Sequence, residues 1–331
     1  MERFALAAAV VLGFALTAAL CSLFVPLRRV LERREQNQQP VQSEQPRPAP
    51  LRAPLWGGLC AAAGTVAAVG VGWLAACVGQ PELLGSEGRL MTRLLTALAG
   101  SLAFGAVGLA EDLARMRSPA ALGLRRDVRL LLEALAAAFV LLLLQAAGCL
   151  PRGLDVPGAG YVLLGSAVPF LWAVLMVALA ECARIAERDE GTVCGAAFVA
   201  MLALMMAEAG LGVPGLAVLP AALAGALVAL LLWAFPPARL GVGCCGSLLA
   251  AGAIGCIPLS LDMTSLTVPL ALPFWAAGGL LAAQLLGAKR TGKPLRCWVK
   301  KHKMSPETVF LCSFALSAVG YVLALALLRW C

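Results

Sequence analysis

The chain has 331 residues, of which 61% are hydrophobic and only 13% are charged, and its formal net charge is +8. This composition excludes a soluble globular protein, because apolar runs of about twenty residues recur along the whole chain. It also excludes a nucleic-acid-binding protein, because the sequence has no soluble basic module to carry such a site. We therefore predict an all-α, polytopic membrane protein with one integral-membrane domain over residues 1–331.

Ten apolar stretches are long enough to cross a bilayer as helices. The first is too long for the core of a signal peptide and is interpreted as a retained span. The stretches lie at about 4–26, 55–77, 93–111, 128–149, 160–181, 191–210, 214–234, 242–260, 265–287 and 307–329.

Basic residues are unevenly distributed among the connecting loops. Most of the 26 Lys and Arg residues follow odd-numbered spans, and the positive-inside rule makes those loops cytoplasmic. Both termini are then extracytoplasmic, in a plasma-membrane protein. Two cytoplasmic loops stand out, since 27–54 is polar and rich in Gln, Pro and Arg, and 288–306 has the densest positive charge. Their simplest interpretation is a topological anchor, because each basic residue near anionic headgroups contributes about 1 kcal/mol.

The twelve cysteines show no spacing typical of a zinc site. Most lie inside apolar stretches, where cysteine acts as a small apolar side chain. Cys244 and Cys245 are accordingly interpreted as packing residues rather than as a redox pair.

The most informative motif is a proline-rich turn that begins at Phe235 and ends in Gly243-Cys244-Cys245-Gly246-Ser247. It resembles the Gly-Asp-x-Gly-Ser signature of the polyprenyl-phosphate N-acetylhexosamine-1-phosphate transferases, also known as glycosyltransferase family 4. In that family the Asp holds the catalytic Mg²⁺. A thiol at position 244 is a poor substitute, because Mg²⁺ prefers hard oxygen ligands.

Two further motifs follow the pattern of the phospho-N-acetylmuramoyl-pentapeptide transferase (MraY-like) members of this family. The segment Ala53–Gly58 resembles their Thr-Pro-Thr-Met-Gly-Gly. The segment Gly108–Arg115 resembles Gly-Phe-x-Asp-Asp-Tyr-x-Lys, with Glu111-Asp112 as the acidic pair. Downstream, Arg129 and Glu133 take the place of a family Lys and Gln. Alternatively, Glu111 and Asp112 are exposed to solvent, and nearby arginines neutralise their charge.

The third and last cytoplasmic loops depart further from the family pattern. Glu181–Gly191 aligns with Asn-x-x-Asn-x-x-Asp-Gly-x-Asp-Gly, so that Glu187 and Glu190 take the two Asp positions while Glu181 and Arg184 take the Asn positions. In the last loop, the family's histidine cluster is replaced by a run beginning at Arg296.

The resemblance implies a set of functional residues that fall into three roles. The catalytic candidates are Glu111, Asp112, Glu187 and Glu190, the phosphate-binding candidates are Arg115, Arg129, Lys293, Arg296 and Lys300, and the Mg²⁺ candidates are Asp112 and Asp189, with Cys244 at a family ligand position.

The family reaction transfers a phospho-amino sugar, such as phospho-MurNAc-pentapeptide, from UDP to undecaprenyl (polyprenyl) phosphate in peptidoglycan synthesis. The resemblance also implies a homodimer. Three hypotheses remain open: a pseudoenzyme that binds the lipid phosphate or an envelope partner, an active transferase with a rearranged carboxylate–Mg²⁺ site, and a transporter. Losing a metal ligand, two amides and the histidines favours the first, because phosphoryl transfer depends on positioning and charge neutralisation.

Overall fold

The computed structural model describes residues 2–38, 56–79, 88–117, 123–151, 153–156, 160–163, 165, 167–187, 191–213, 215–235, 238–286 and 305–330. This part of the chain is almost entirely helical, which confirms the all-α prediction. Its ten long helices are α1 (Glu2–Gln38), α2 (Gly57–Gly79), α3 (Gly88–Arg117), α4 (Arg126–Ala146), α5 (Ala167–Ala186), α6 (Thr192–Gly210), α7 (Val218–Ala234), α8 (Gly243–Ser260), α9 (Leu272–Leu286) and α10 (Pro306–Trp330).

Each of the ten predicted apolar stretches overlaps one of these helices. Seven of the helices are long and apolar enough to cross a membrane, namely α1, α2, α3, α5, α6, α8 and α10, and α7 is a shorter apolar helix. The chain is therefore a multi-pass membrane protein. The count of ten crossings and the placement of both termini outside the cell stay predictions.

Two helices extend beyond the bounds predicted for them. The first continues past Pro26 to Gln38, so the start of the loop predicted at 27–54 is helical, and 39–55 lies outside the described residues. The third continues to Arg117, so Glu111, Asp112 and Arg115 lie on a helix and not in a loop. Polarity ends a membrane span but not a helix, and Leu, Glu, Gln and Arg are all good helix formers.

A short hairpin precedes α5, where the fifth span was expected to begin. Strand β1 (Gly153–Val156) pairs antiparallel with β2 (Gly160–Leu163), with Leu154 opposite Val162. Gly160 takes a φ of +71°, a conformation that glycine adopts without steric cost. The fifth apolar stretch is therefore strand at its start, and helix begins only at Ala167.

Helix α8 lies at the centre of the bundle, and every one of its residues is buried. Its most extensive contact is with α3, and it also packs against α5, α2 and α6. A Cβ at Gly108 of α3 would lie 2.2 Å from the carbonyl oxygen of Cys244, and one at Gly58 of α2 would lie 2.1 Å from the backbone nitrogen of Gly246. Glycine at both positions is what allows the backbones to approach this closely.

The chain segment that leads into α8 is held against the start of α2. The backbone N–H of Gly57 donates to the carbonyl of Gly241 at 3.2 Å, and that of Gly58 donates to Val242 at 2.9 Å. Gly57 and Gly58 at the start of α2 and the Gly-Cys-Cys-Gly-Ser motif are thus neighbours in space. Together with the end of α3, they define one end of the bundle.

Candidate functional site

The site is built around the first turn of α8. Gly243 takes a φ of +71°, which turns the chain so that α8 can begin there. The Asp112 carboxylate of α3 accepts hydrogen bonds from the backbone N–H of Cys244 (Oδ1, 3.0 Å) and of Cys245 (Oδ2, 2.9 Å). A carboxylate at a helix N-terminus satisfies amides that have no partner within the helix and is favoured by the helix dipole. Both oxygens of the buried Asp112 are thereby engaged.

The thiol of Cys244 faces the acidic side of the site. Its Sγ is 3.9 Å from Oε2 of Glu187, which follows α5. The residue is fully buried. The position at which the resemblance implies a metal-binding carboxylate therefore points toward the other acids of the site, but carries sulfur.

A single guanidinium group faces three carboxylates. Nη2 of Arg115 is 2.6 Å from Oε1 of Glu111, and Nη1 is 3.8 Å from both Oδ1 of Asp112 and Oε2 of Glu187. The side chains of Glu111 and Asp112 are almost completely buried, whereas Arg115 is 21% exposed. Arg115 is thus more exposed to solvent than the three acids with which it pairs.

A second arginine joins α4 to both α3 and α5. Nε of Arg129 donates to Oε1 of Glu181 at 2.7 Å, and its Nη1 is 3.7 Å from Oε1 of Glu111. The same Nε is 4.0 Å from Oε1 of the fully buried Glu133. Arg184 completes the network with a short contact to the other oxygen of Glu181.

The network thus contains five acids (Glu111, Asp112, Glu133, Glu181 and Glu187) and three arginines (Arg115, Arg129 and Arg184), which we call the carboxylate–arginine cluster. Charges this deeply buried persist only when they are paired. The cluster therefore ties α3, α4, α5 and the start of α8 together.

Of the residues predicted for the site, the structure brings together Glu111, Asp112, Glu187, Arg115, Arg129 and Cys244. Arg115 and Arg129, expected to contact phosphate, point their guanidinium groups at carboxylates of the chain. Asp189, Glu190, Lys293, Arg296 and Lys300 lie outside the described residues.

Three members of the cluster were not among the predicted site residues: Glu133, Glu181 and Arg184. The available signal was their position in the family register, where each replaces an amide. Two glutamates and an arginine stand at positions where the family has amides. Because each newly buried charge requires an opposite charge nearby, this pattern indicates that the substituted residues pair with arginines and carboxylates of the cluster.

The described donor set does not fit Mg²⁺. This ion takes near-octahedral oxygen ligands at about 2.0–2.1 Å. In this cluster both oxygens of Asp112 bind backbone amides, the facing side chain at 244 is a thiol, and a guanidinium group lies among the acids. Within the described ranges, no group of three or more His, Cys, Asp and Glu side chains is placed to hold a metal ion.

The sequence profile of glycosyl transferase family 4 matches residues 94–262, about half of the chain, from α3 to just beyond α8. The chain belongs to this family. The matched region contains every member of the carboxylate–arginine cluster. Similarity extends to enzymes named phospho-N-acetylmuramoyl-pentapeptide-transferase, which makes the chain an MraY-like member of glycosyl transferase family 4.

Three such relatives illustrate the extent of the similarity. The Mycobacterium tuberculosis (strain H37Rv) protein is 28% identical over 265 residues, covering 72% of each chain. The Synechococcus sp. (strain RCC307) protein is 30% identical over 212 residues, covering 63% of this chain and 55% of its own. The Desulforudis audaxviator protein is 32% identical over 170 residues, covering 48% of this chain and 50% of its own.

Proposed function

We propose that this chain is a catalytically silent member of glycosyl transferase family 4, which keeps the membrane fold and binds a polyprenyl phosphate without transferring a phospho-sugar to it. One observation carries the proposal. Cys244, at the position of a family metal ligand, faces Glu187, which is already paired with Arg115 of the same chain.

The chemistry of the family reaction explains why this matters. As the resemblance implies, a lipid phosphate attacks the β-phosphate of a UDP-sugar and releases UMP, with Mg²⁺ against the phosphate oxygens. Such transfer depends on positioning and on neutralising charge as it develops. In the described cluster, Arg115 and Arg129 are already paired with carboxylates of the chain, so neither guanidinium group is free to neutralise a diphosphate. Removing a single stabilising donor from a catalytic site costs about 10²–10³ in rate.

Binding of the lipid carrier requires basic side chains near its phosphate but does not require the Mg²⁺ site. The head of a polyprenyl phosphate is an anion at the membrane surface, and basic side chains hold such a group by charge. Lys293, Arg296 and Lys300, in the basic loop at 288–306, are the proposed contacts. Their charge does not depend on the acids around Cys244, so binding can persist when transfer is lost.

The test measures binding and turnover on the same preparation. Purified full-length protein is incubated with radiolabelled polyprenyl phosphate, and retained lipid is counted against a neutral polyprenol of equal length. UMP release from UDP-MurNAc-pentapeptide is then followed with Mg²⁺, beside the M. tuberculosis relative as an active standard. We expect retention of the phosphate but not of the alcohol, and no UMP above background. Absence of selective retention would contradict the binding part of the proposal.

A second candidate, an active transferase with a rearranged ligand set, is favoured by one observation. Glu111, Asp112 and Glu187 all lie within 4 Å of the Arg115 guanidinium, so three carboxylates converge, and Asp189 and Glu190 follow Glu187 in sequence. In this case Arg115 would have to swing out to admit Mg²⁺. UMP release by the unmodified protein at the rate of the active standard would establish this candidate. No described contact specifically favours the transporter hypothesis.

A further inference from the structure

Cys21 of α1 and Cys60 of α2 are buried thiols at the contact between these two helices. Their exposed fractions are 0% and 1%, and both thiols are free. We propose that the two residues, which we call the interhelical thiol pair, are a site of reversible disulfide formation that fastens α1 to α2. Neither the family reaction nor the proposed function uses this pair.

Two contacts bracket the interhelical thiol pair. Thr17 of α1 lies against Gly64 of α2, so closely that a Cβ at Gly64 would overlap the Thr17 hydroxyl. On the other side of the pair, Phe24 stacks on Trp56, with ring centroids 5.7 Å apart and planes 8° apart. The two helices therefore run antiparallel, and each cysteine is four residues from the Thr17–Gly64 contact. Residues four apart share a helix face, so the register places the two thiols opposite each other.

The two side chains also contact each other directly. The thiols of Cys21 and Cys60 lie within hydrogen-bonding reach of one another. A disulfide requires Cα atoms within about 7 Å and side chains that face each other, and the backbones are close where Gly64 leaves no room for a Cβ. Among the described cysteines, Cys194 and Cys245 are neighbours of the pair, but no hydrogen bond joins either of them to it. A bridge within the pair therefore needs the least backbone movement.

The chemistry requires a small, uncharged two-electron oxidant of the peroxide class. One thiol, as its thiolate, attacks a peroxide oxygen, which gives a sulfenic acid and one water. The second thiol then attacks the sulfenic sulfur, which forms the S–S bond and releases a second water. The two sulfurs lose two electrons, the peroxide gains them, and both thiol protons leave in water. Because the thiols already touch, the second captures the sulfenic acid before it is oxidised further.

The bridge would act on the end of the bundle that carries the candidate site. Cys60 lies in the first turn of α2, where the N–H groups of Gly57 and Gly58 donate to Gly241 and Val242, just ahead of α8. A cross-link at this turn holds the start of α2 on α1 and removes chain entropy from the unfolded state. Oxidation should therefore stabilise the folded protein.

The test treats full-length protein in detergent with hydrogen peroxide, alkylates the remaining thiols after denaturation, and maps bridged peptides by mass spectrometry. We expect a bridge between Cys21 and Cys60, and a melting temperature at least about 3 °C above that of the reduced protein. Dithiothreitol should reverse both changes. Cys21→Ser and Cys60→Ser should show neither bridge nor shift. Cys77→Ser, which alters another buried cysteine of α2, should keep both, and methionine oxidation is common to all of these proteins.

Several results would overturn the inference. They are a peroxide-treated wild type in which both thiols of the pair can still be alkylated, a sulfinic acid at either position without a bridge, a bridge from Cys60 to Cys245, and a melting shift that persists in Cys21→Ser. If the serine variants do not fold, because a hydroxyl group is buried without a partner, Cys21→Ala and Cys60→Ala are judged by the same criteria. None of these results involves UMP release, so the inference can fail without the proposed function failing.

Discussion

At the scale of single residues, Asp112 couples two helices that are distant in the sequence. Its two carboxylate oxygens accept from the first free amides of α8. Hydrogen bonds to a charged acceptor contribute about 1.5–3 kcal/mol each, and leaving buried donors unpaired costs a similar amount. Asp112 therefore stabilises the bundle in addition to any role in chemistry.

We predict that Asp112→Ala lowers the free energy of unfolding by about 2–4 kcal/mol, since two buried amides lose their acceptor and α8 loses its N-terminal cap. Denaturant titration in detergent, followed by tryptophan fluorescence, measures this. Asp127→Ala is the control, because Asp127 is exposed in the first turn of α4 and should change stability by less than about 0.5 kcal/mol. Equal losses in the two variants would show that Asp112 is not a cap.

Cys244 provides a second prediction at this scale. Cys244→Asp would add a carboxylate beside Glu187 and so a further like charge to the cluster. We expect the variant to be about 1–3 kcal/mol less stable than the wild type in EDTA and to recover with Mg²⁺, which binds only the folded state. Cys244→Ser, of similar size but neutral, should be insensitive to Mg²⁺. Equal responses of the Asp and Ser variants to Mg²⁺ would rule out a carboxylate effect.

At the scale of helices, small residues determine how closely α8 packs against α2 and α3. Gly58 of α2 and Gly108 of α3 meet the backbone of α8 at distances that leave no room for a Cβ. In a bilayer, close packing of this kind replaces much of the driving force that water supplies to soluble helices. The first turn of α8, and with it Cys244, is therefore held in place from both α2 and α3.

Gly58→Ala tests the close packing of α8 against α2. The added Cβ would lie 2.1 Å from a backbone nitrogen of α8, so the two helices must separate, and we expect a loss of about 3 kcal/mol or failure to fold. Gly70→Ala is the matched control on the same helix, since a Cβ there meets nothing within 4 Å. It should be neutral or stabilising by up to about 1 kcal/mol. A Gly58→Ala protein as stable as the control would contradict the packing described for α2 and α8.

The helices themselves were predictable from the sequence, because every backbone N–H and C=O in a lipid environment must be hydrogen-bonded, and a long apolar run meets this requirement by forming a helix. The ends of the helices were harder to predict. Glu111–Arg117 is polar enough to predict a loop, yet Glu111 and Arg115 form an i,i+4 pair that favours helix. That difference matters, because only a helix places Glu111, Asp112 and Arg115 on one face.

At the scale of the whole molecule, the family and the general location of the site followed from motif order, but the state of the site did not. Glu133, Glu181 and Arg184 each look like an isolated charge that replaces an amide. Arg184 lies three residues after Glu181 on α5 and pairs with it locally, but only the convergence of α4 with α5 shows that Arg129 also binds Glu181. That second pairing is a tertiary property, since Arg129 and Glu181 are 52 residues apart in the sequence.

We propose that this chain keeps the fold of its family while the acids of its site are paired with arginines of the same chain. The most direct measurement is the initial rate of UMP release by the unmodified protein as a function of Mg²⁺ concentration, with the M. tuberculosis relative assayed in the same detergent. We predict a rate at the level of the protein-free background at every Mg²⁺ concentration, beside a Mg²⁺-dependent rise for the relative. A saturable, Mg²⁺-dependent rate within about tenfold of the relative, a difference of only about 1.4 kcal/mol in barrier height, would contradict the claim.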